Sequence, residues 1–522
     1  MAPTVSDSAH REYALNAMAS AARAVCPVIV GRWAELDRLA GGLRAAVEGS
    51  GRGIMLAGDA GIGKTRLARE LGVRAEAQDV PVLSGGCSEE LSLPYLPLAE
   101  ALAGPLERDA GRLLGELGPT ARELARLFPG LGLEPPPLHP QDTGGKLRLF
   151  EAVWGFLRQL AGERGLLLVV EDLHWADAST RELVEYLRRR LHKSRVCLLA
   201  SYRSDELHRR HPLRPLLHAW RRDSDVDLVE LGPLSPEQAR QMARAMPGLE
   251  AAGEELVRMV AERSEGNPFV LEEMTRVALA GGGEPGPGDT RRRLPETVRE
   301  AILLRLRRLE PEQVGFLRSA AVLGQAFDYG VLVDLAGLDD ESALAALGVC
   351  IEHHVLEPDD VDSERYRFRH ALTREAVYED IIRPERRRLH ERAADVLAGR
   401  PGRPAIERGH HLLTAERWDD AVPLCLEAAA TAAGSHAYRD AAALYDRVLP
   451  HLPPGLERAR VQCQLGFALL MAGESAGAEQ HLTAGVAALH ELKQPGLAGR
   501  YLLWLASAHT IRSEPALAQA DY

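Results

Sequence analysis

A short apolar run, Gly53–Ala57, leads directly into the sequence Gly58-Asp59-Ala60-Gly61-Ile62-Gly63-Lys64-Thr65, and a helical pattern follows from Arg66 to Ala75. Glycines at these spacings let the backbone curl so that consecutive N–H groups point inward at the start of a helix. A strand, a glycine loop and a helix in this order are the setting in which G-x4-G-K-T binds phosphate. The sequence therefore predicts that residues 58–65 form a phosphate-binding loop.

Two side chains of this loop have specific chemical roles. The Lys64 ammonium is predicted to contact the β- and γ-phosphates, and the Thr65 hydroxyl is predicted to be a ligand of Mg²⁺. Only four of the 63 basic residues are lysines, so a lysine at position 64 indicates a specific requirement. The predicted cofactors are ATP or ADP with Mg²⁺.

Apolar runs bounded by turn residues alternate with helical patterns through the first 230 residues. Strands that alternate with helices predict a parallel sheet with helices on both faces, as in α/β P-loop NTPases. The runs are Val80–Leu83, Leu166–Val170, Val196–Ala200 and Val226–Leu231, and the helical patterns include Lys146–Leu160 and Ser179–Leu191.

Acidic residues end one of these predicted strands. Glu171 and Asp172 follow the run Leu166–Val170, and the carboxyl end of a central strand faces the phosphates. We assign Mg²⁺ binding to Glu171 and orientation of the attacking water to Asp172, and the two roles could be exchanged. Arg203 follows the next run, and its guanidinium would point at the γ-phosphate if that strand lies between the two motif strands.

Three further residues follow the acids. Asp177, with Ala-Ser-Thr after it, is predicted to be the N-cap of the following helix. For His174 and Trp175, packing under the sheet and contact with nucleotide both remain open.

The composition excludes several classes of protein. A chain of 522 residues with 46% hydrophobic and 26% charged residues is typical of a globular protein of three or four domains. It has no apolar stretch of about 18 residues, and residues 1–26 lack the apolar core of a secretion signal. The six cysteines form no Cys-x-x-Cys pair, which argues against zinc ribbons and disulfide frameworks and predicts a cytoplasmic protein. A net charge of -12 argues against a chain that coats nucleic acid.

Changes in composition and pattern divide the chain. A Ser235-Pro-Glu-Gln cap starts a helical segment, and a Gly- and Pro-rich linker ends it. A hairpin near residues 355–369 and helical patterns predict a winged helix, and the patterns are Glu296–Leu309, Pro311–Leu323, Glu341–Glu352 and Ala371–Ile381. Ala441 and Ala478, 37 positions apart, indicate tetratricopeptide-like repeats. The predicted organisation is an N-terminal tail (1–26), a nucleotide-binding domain (27–232), a helical lid (233–280), a linker (281–293), a winged-helix domain (294–398) and an incomplete helical-repeat arm (404–522).

Several motifs occur together in an order that resembles the STAND class of signal-transduction ATPases, and within it the large LuxR-type regulators related to the maltose-regulon activator. The similarity covers roughly residues 27 to 450. Besides the phosphate loop, the motifs are Val30-Gly31-Arg32, Glu171-Asp172-Leu173-His174-Trp175-Ala176-Asp177, Ser201-Tyr202-Arg203, Gly266-Asn267-Pro268-Phe269 and Phe368-Arg369-His370-Ala371-Leu372.

This resemblance implies an ATPase that works as a switch. ADP would hold the nucleotide domain, lid and winged helix closed, and ATP with an inducer, a small molecule or a protein bound at the arm, would open them for self-association. Val30 and Arg32 would line the adenine, and Pro268 would pack on it from the lid. Arg203 would sense the γ-phosphate, and His370 would reach the β-phosphate in the closed state.

DNA binding is expected only through a domain absent from this chain, because no segment matches the C-terminal helix-turn-helix of the family's transcription factors. The basic clusters Arg291-Arg292-Arg293 and Arg386-Arg387-Arg388 border the winged helix and are expected to face solvent. An ATP-binding scaffold with little hydrolysis, which recruits a protein through the arm, is the alternative function. A phosphotransferase is disfavoured because no acceptor pocket can be identified.

Overall fold

The computed structural model describes residues 26–511, except 89–92, 138–143, 248, 250–252, 281–296, 308, 360–363 and 401–402. The predictions for the N-terminal tail, the linker, the cluster Arg291-Arg292-Arg293 and the last residues of the arm lie outside the described residues. None of the described helices has the length and apolarity that crossing a membrane requires.

The central sheet has five strands, which are β1 (Arg52–Gly58), β2 (Val82–Gly86), β3 (Leu166–Glu171), β4 (Val196–Arg203) and β5 (Val226–Leu231). They lie in the order β2-β3-β4-β1-β5. Every strand pair is parallel, so the carboxyl ends of β1, β3 and β4 meet at one edge.

Helices cover both faces of this sheet. The helices are α1 (Trp33–Val47), α2 (Lys64–Glu76), α3 (Leu96–Leu117), α4 (Ala121–Leu124), α5 (Gly145–Ala161), α6 (Ala178–Arg190) and α7 (Arg214–Trp220). Alternate residues of β3 belong to different cores: Leu166 and Leu168 pack with α3, α5 and α6, whereas Leu167 and Val169 pack with α1 and α2. This arrangement confirms the predicted fold class, a parallel-sheet P-loop core.

The rest of the chain is mostly helical, as predicted. The lid, residues 233–280, contains α8 (Pro236–Arg244), α9 (Glu254–Arg263) and α10 (Pro268–Ala280), and Ser235 caps α8 in a capping box with Gln238. The winged-helix unit, residues 297–399, surrounds a three-stranded antiparallel sheet in the order β6-β8-β7. Its elements are α11 (Val298–Leu306), α12 (Pro311–Leu323), β6 (Ala326–Asp328), α13 (Tyr329–Ala336), α14 (Asp340–Glu352), β7 (Leu356–Pro358), β8 (Arg365–Phe368), α15 (Ala371–Asp380) and α16 (Arg383–Ala398).

The described part of the arm, residues 405–511, consists of helices that pack on their neighbours in sequence. Ala441 and Ala478 are fully buried and each occupies the fourth position of its helix, which fits the predicted repeat. The helices are α17 (Ala405–Thr414), α18 (Trp418–Gly434), α19 (Tyr438–Val448), α20 (Leu456–Met471), α21 (Ser475–Glu491) and α22 (Pro495–Ile511).

The arm packs against the nucleotide domain. Arg126 donates a hydrogen bond to the carbonyl oxygen of Gly434 at 2.8 Å, and Asp440 accepts hydrogen bonds from the first turn of α6. One cluster of buried apolar side chains is continuous from the sheet, including Leu168, into arm residues such as Tyr445. The nucleotide domain and the arm therefore share a core.

Some elements were not predicted from the sequence. Helix α3 contains Pro105 and several glycines that disrupt a helical pattern, yet its Leu98 and Leu102 are fully buried against the sheet. The winged-helix unit also contains β6, α13 and α16 in addition to the predicted helices and hairpin. Arg386 was expected to face solvent, but its guanidinium donates to the carbonyl oxygens of Tyr378 and Ile381 and stabilises the turn before α16.

Candidate nucleotide site

The phosphate loop connects β1 to α2 with three glycines at positive φ. Gly58, Gly61 and Gly63 have φ values of 156°, 74° and 105°, a region that other residues rarely adopt. A Cβ placed on Gly63 would have no heavy atom within 4 Å, so the space beside the start of α2 is open. The loop therefore presents backbone N–H groups and open space at a helix N-terminus, which fits a phosphate group.

Lys64 is buried at the first position of α2. Its Nζ donates hydrogen bonds to the carbonyl oxygens of Gly58 and Asp59 at 2.8 and 2.9 Å. Burial lowers the pKa of Lys64 below its usual value, and the charge of Asp172 opposes this shift. A buried ammonium beside an open loop is the group that a polyphosphate requires for charge compensation.

Thr65 and Glu171 join the loop to the neighbouring motif. The Thr65 hydroxyl donates to Oε2 of Glu171 at 2.6 Å. Burial raises the pKa of Glu171, and the hydrogen bond from Thr65 opposes the rise. A hydroxyl and a carboxylate are oxygen ligands, and Mg²⁺ takes few protein ligands besides phosphate oxygens and water, so these residues fit Mg²⁺. Among the described residues, no group of three or more His, Cys, Asp or Glu side chains could hold a metal.

Asp172 follows β3 in the left-handed region, with φ of 53°. Its backbone N–H donates to the hydroxyl of Ser201 at 3.0 Å, which ties the turn to β4. Residues at such φ values are held there by their surroundings and are frequent at functional sites. The catalytic role of Asp172 remains a prediction.

Arg203 ends β4, which lies between β1 and β3 as the prediction for this residue required. Its side chain is buried, and its Nη1 donates to Glu206 at 2.5 Å and to Glu375 at 2.9 Å. The guanidinium also lies over the ring of Trp175, 4.5 Å from the ring centroid. Neither glutamate was predicted from the sequence: Glu375 is 172 residues from Arg203, and no local pattern relates the two.

His174 and Trp175 fix this corner by packing. The buried His174 accepts a hydrogen bond from the Arg203 N–H at Nδ1, 3.4 Å away, and its Nε2 lies 3.4 Å from Glu206. Trp175 Nε1 donates to Glu206 at 3.1 Å. Burial would raise the pKa of Glu206, but the nearby His174 ring and the charge of Arg203 prevail and lower it to about 2. Glu206 is therefore ionised and held in place at neutral pH.

Asp177 is the N-cap of α6, as predicted. Its Oδ1 accepts from the backbone N–H of Thr180 at 2.8 Å. Burial, followed by the charge of Asp440 from the arm, raises its pKa to about 7. Asp177, the last residue of the acidic motif, therefore interacts electrostatically with Asp440 of the arm.

Val30 and Arg32 lie where the nucleotide domain meets the lid. Val30 is buried in an apolar cluster with Leu234 and Met242 of the lid. Arg32 donates to the carbonyl oxygen of Gly232 at 2.6 Å and pairs with Glu35 at 3.3 Å. These contacts connect the start of α1 to the end of β5, and contact with adenine remains a prediction for both Val30 and Arg32.

The lid contacts the phosphate loop through Gly266-Asn267-Pro268-Phe269. Asn267 donates to the carbonyl oxygen of Ala60 at 2.9 Å, and the Phe269 N–H donates to that of Gly61 at 3.3 Å. Pro268, predicted to pack on adenine, is the first residue of α10 and lies between these two contacts. Asn267 and Phe269 belong to a motif found in the sequence, but only Pro268 was assigned a role there.

His370 extends this contact into the winged-helix unit. Its ring packs on Phe269 with centroids 4.3 Å apart. Its buried Nε2 has no hydrogen-bond partner within the described part of the chain. Burial, followed by the charge of Arg369, lowers the pKa of His370 well below its usual value. An unpartnered buried nitrogen next to the loop fits the predicted role at the β-phosphate, which remains a prediction.

Comparison with known proteins agrees with this geometry. Residues 28–199 match the AAA ATPase domain. This match includes the phosphate loop, Glu171 and Asp172. An uncharacterized protein of Rhizobium meliloti (strain 1021) is 30% identical over 440 residues, which cover 77% of this chain and 40% of the relative. The chain thus spans about two fifths of the length of this relative.

Among solved structures, the chain matches a signal transduction ATPase with numerous domains (STAND) with a tetratricopeptide repeat sensor from Pyrococcus horikoshii. It is 15% identical, with a TM-score of 0.45 and coverage of 95% of this chain and 76% of that chain. A Walker-type ATPase of Pyrococcus abyssi is 16% identical, with a TM-score of 0.33 and coverage of 68% of this chain and 97% of that chain.

Proposed function

We propose that this chain is the ATP-binding and slowly hydrolysing switch of a STAND-class signal-transduction ATPase. ADP holds it closed, and ATP together with an inducer at the arm opens it for self-association. The observation that carries this proposal is the hydrogen bond of 2.6 Å between Thr65 and Glu171 beside the buried Lys64. These three groups are the cation and the oxygen ligands that a nucleotide with Mg²⁺ requires.

Each residue around the loop has a separate role in nucleotide binding or hydrolysis. Lys64 and the loop N–H groups bind the β- and γ-phosphates, and Thr65 with Glu171 holds Mg²⁺, which neutralises charge on the phosphate oxygens when bound. Asp172, in its fixed turn, orients the attacking water. Arg203 senses the γ-phosphate from the end of β4. Val30, Arg32 and Pro268 contact the adenine.

The contacts of the lid and the winged-helix unit support a closed state. Asn267 and Phe269 touch the phosphate loop, and His370 packs on Phe269. A nucleotide in the loop would therefore lie under both units, and its release or exchange would require them to move. This arrangement suits a switch with slow turnover more than an enzyme that must release product rapidly.

The arm supplies the signal in this proposal. Its polar contacts with the nucleotide domain, Arg126 with Gly434 and Asp440 with α6, lie outside the loop. An inducer that binds the arm could weaken them without touching the nucleotide.

All six cysteines are free thiols, in agreement with a cytoplasmic location.

We further propose that the output is regulation of transcription, as in LuxR-type regulators. Support for this step comes from the order of the sequence motifs. DNA binding would be carried by a domain outside this chain, after self-association in the ATP state.

The experiment that tests the proposal measures nucleotide content and mass in solution together. The purified chain is denatured, the released nucleotide is identified, and the native mass is compared in ADP and in ATP with Mg²⁺. We expect ADP to be released, and ATP to cause assembly. Lys64→Ala should lose both properties, whereas Lys193→Ala, which removes an exposed lysine far from the loop, should keep them.

Two outcomes would contradict the proposal. A nucleotide-free monomer that is indifferent to ATP would exclude the switch for this chain. Tight ATP binding without hydrolysis or change of mass would favour an ATP-binding scaffold that recruits a protein through the arm.

A further inference from the structure

One nitrogen of Arg203 is shared by two carboxylates from different parts of the chain. Nη1 lies 2.5 Å from Glu206, three residues further along the same loop, and 2.9 Å from Glu375 in α15 of the winged-helix unit. The arginine side chain is 6% exposed, and that of Glu375 is 33% exposed. Glu375 therefore reaches from another unit of the fold to a guanidinium that is otherwise enclosed in the nucleotide domain.

The two glutamates are held differently. Glu206 also contacts His174 and Trp175, so it stays in place whether or not Arg203 moves. For Glu375, the partner identified among the described residues is Arg203. The pair Arg203–Glu375 is thus the exchangeable one, and it joins the winged-helix unit to the end of β4.

This corner lies beside the phosphate site. Arg203 is paired in register with Gly58, the first residue of the phosphate loop. Arg203 and Lys64 are close enough for their charges to interact, and both interact with Asp172. A γ-phosphate bound by Lys64 would bring about two negative charges into the same corner as Glu206 and Glu375.

We propose that Glu375 occupies the place on Arg203 that the γ-phosphate of ATP takes, so that Glu375 and ATP compete for one guanidinium. This inference rests on the proposed function, in which ATP binds at the loop and Arg203 senses it. Arg203 turns to the γ-phosphate, and the released Glu375 is repelled by the added negative charge. ADP lacks the γ-phosphate and leaves the pair intact. The winged-helix unit is thereby held closed by ADP and released by ATP.

The test is the ratio of affinities for a non-hydrolysable ATP analogue and for ADP, measured by calorimetry with Mg²⁺. Glu375→Gln keeps an oxygen that can accept a hydrogen bond but removes the charge. We expect the ratio to rise about 10-fold in favour of the ATP analogue, within the usual range of coupling between sites. The affinity for ADP should stay within about twofold of the parent, a change equivalent to less than 0.5 kcal/mol.

Glu379→Gln is the matched control, because Glu379 is one turn further along α15 and its side chain is 64% exposed in a pair with Arg299. It should leave the ratio unchanged. In an Arg203→Ala background, Glu375→Gln should have no further effect, because the competition requires the guanidinium. Glu375→Asp, which keeps the charge but shortens the side chain, should give a smaller rise and serves if the glutamine variant does not fold.

The outcomes separate this inference from the proposed function. If the parent binds neither nucleotide, the proposed function is wrong and the inference falls with it. If the parent binds both nucleotides through Lys64, but Glu375→Gln and Glu379→Gln give the same ratio, the competition is refuted and nucleotide binding stands.

Discussion

The carboxylate of Asp440 in the arm lies 3.1 Å from the backbone nitrogen of Ser179 and accepts its hydrogen bond. It accepts a second hydrogen bond from the N–H of Ala178 at 3.0 Å. These N–H groups belong to the first turn of α6, which has no carbonyl partners within its own helix. A side chain of the arm therefore satisfies donors of the nucleotide domain a few residues after Glu171 and Asp172.

Removal of this carboxylate should loosen the arm. We expect Asp440→Ala to destabilise the docked arm by about 2 kcal/mol at pH 6, since hydrogen bonds to a charged group contribute more than neutral ones. Hydrogen exchange at Ala178 and Ser179 should accelerate accordingly. Asp446→Ala, an exposed change in the same helix, is the control and should leave exchange unchanged. Equal exchange rates in both variants would show that Asp440 does not hold the arm.

Docking of the arm should also depend on pH through Asp177. Burial, together with Asp440, raises its pKa from 3.8 to about 7. The folded state then binds more protons than the unfolded state between these values, so stability falls as pH rises through about 7 and levels off above it. We expect a loss of about 1 kcal/mol in the free energy of unfolding between pH 6 and pH 8.

Asp177→Asn isolates this contribution, because asparagine is also a good N-cap but does not titrate. Thermal or urea unfolding at both pH values should show a smaller pH dependence in the variant than in the parent. An identical pH dependence in the two proteins would mean that another group is responsible.

Substitutions of Glu171 and of Asp172 should impair different steps of the ATPase. Asp172→Asn should slow ATP hydrolysis at least about 100-fold while nucleotide affinity is kept, because only orientation of the water is lost. Glu171→Gln should instead weaken the Mg²⁺ dependence of nucleotide binding. Steady-state hydrolysis and Mg²⁺ titrations distinguish the two, with the exposed Asp37→Asn in α1 as control. An Asp172→Asn variant that hydrolyses ATP as fast as the parent would refute its assignment.

Two glycines of the arm should respond oppositely to alanine. A Cβ on Gly466 would lie 2.7 Å from Cγ of Leu482 and 2.9 Å from its backbone nitrogen, so α20 and α21 would have to separate. We expect Gly466→Ala to destabilise the arm by about 1–2 kcal/mol, the overpacking cost less the gain in helix propensity. Gly499→Ala in α22 meets no atom within 4 Å and should stabilise it by up to about 1 kcal/mol. Chemical unfolding of both variants provides the test, and the same sign for both would contradict this packing.

Local features of the fold were predictable from the sequence, because the strands are continuous apolar runs and the turns are marked by glycine and capping residues. The predicted bounds of Val226–Leu231 and Pro311–Leu323 agree with the structure. Helix α3 was missed because Pro105 and its glycines disfavour a helix, and packing against the sheet overrides that preference.

The phosphate loop and its acids were also predictable, since each is a contiguous motif with a mechanism. The partners of Arg203 could not be predicted from the sequence. Glu375 approaches it only because the winged-helix unit packs on the nucleotide domain, and no periodicity in the sequence encodes a contact between positions so far apart. Asp440 was missed for the same reason.

The apolar core that runs without interruption from the sheet into the arm has a consequence for a chain that has opened. If the arm separates from the nucleotide domain, the apolar side chains of this core become exposed to water. The free-energy cost of that exposure is proportional to the exposed apolar area. This free-energy cost decreases when another protein surface covers the same side chains. Opened chains would therefore associate with one another, because contact between them buries the exposed apolar side chains again.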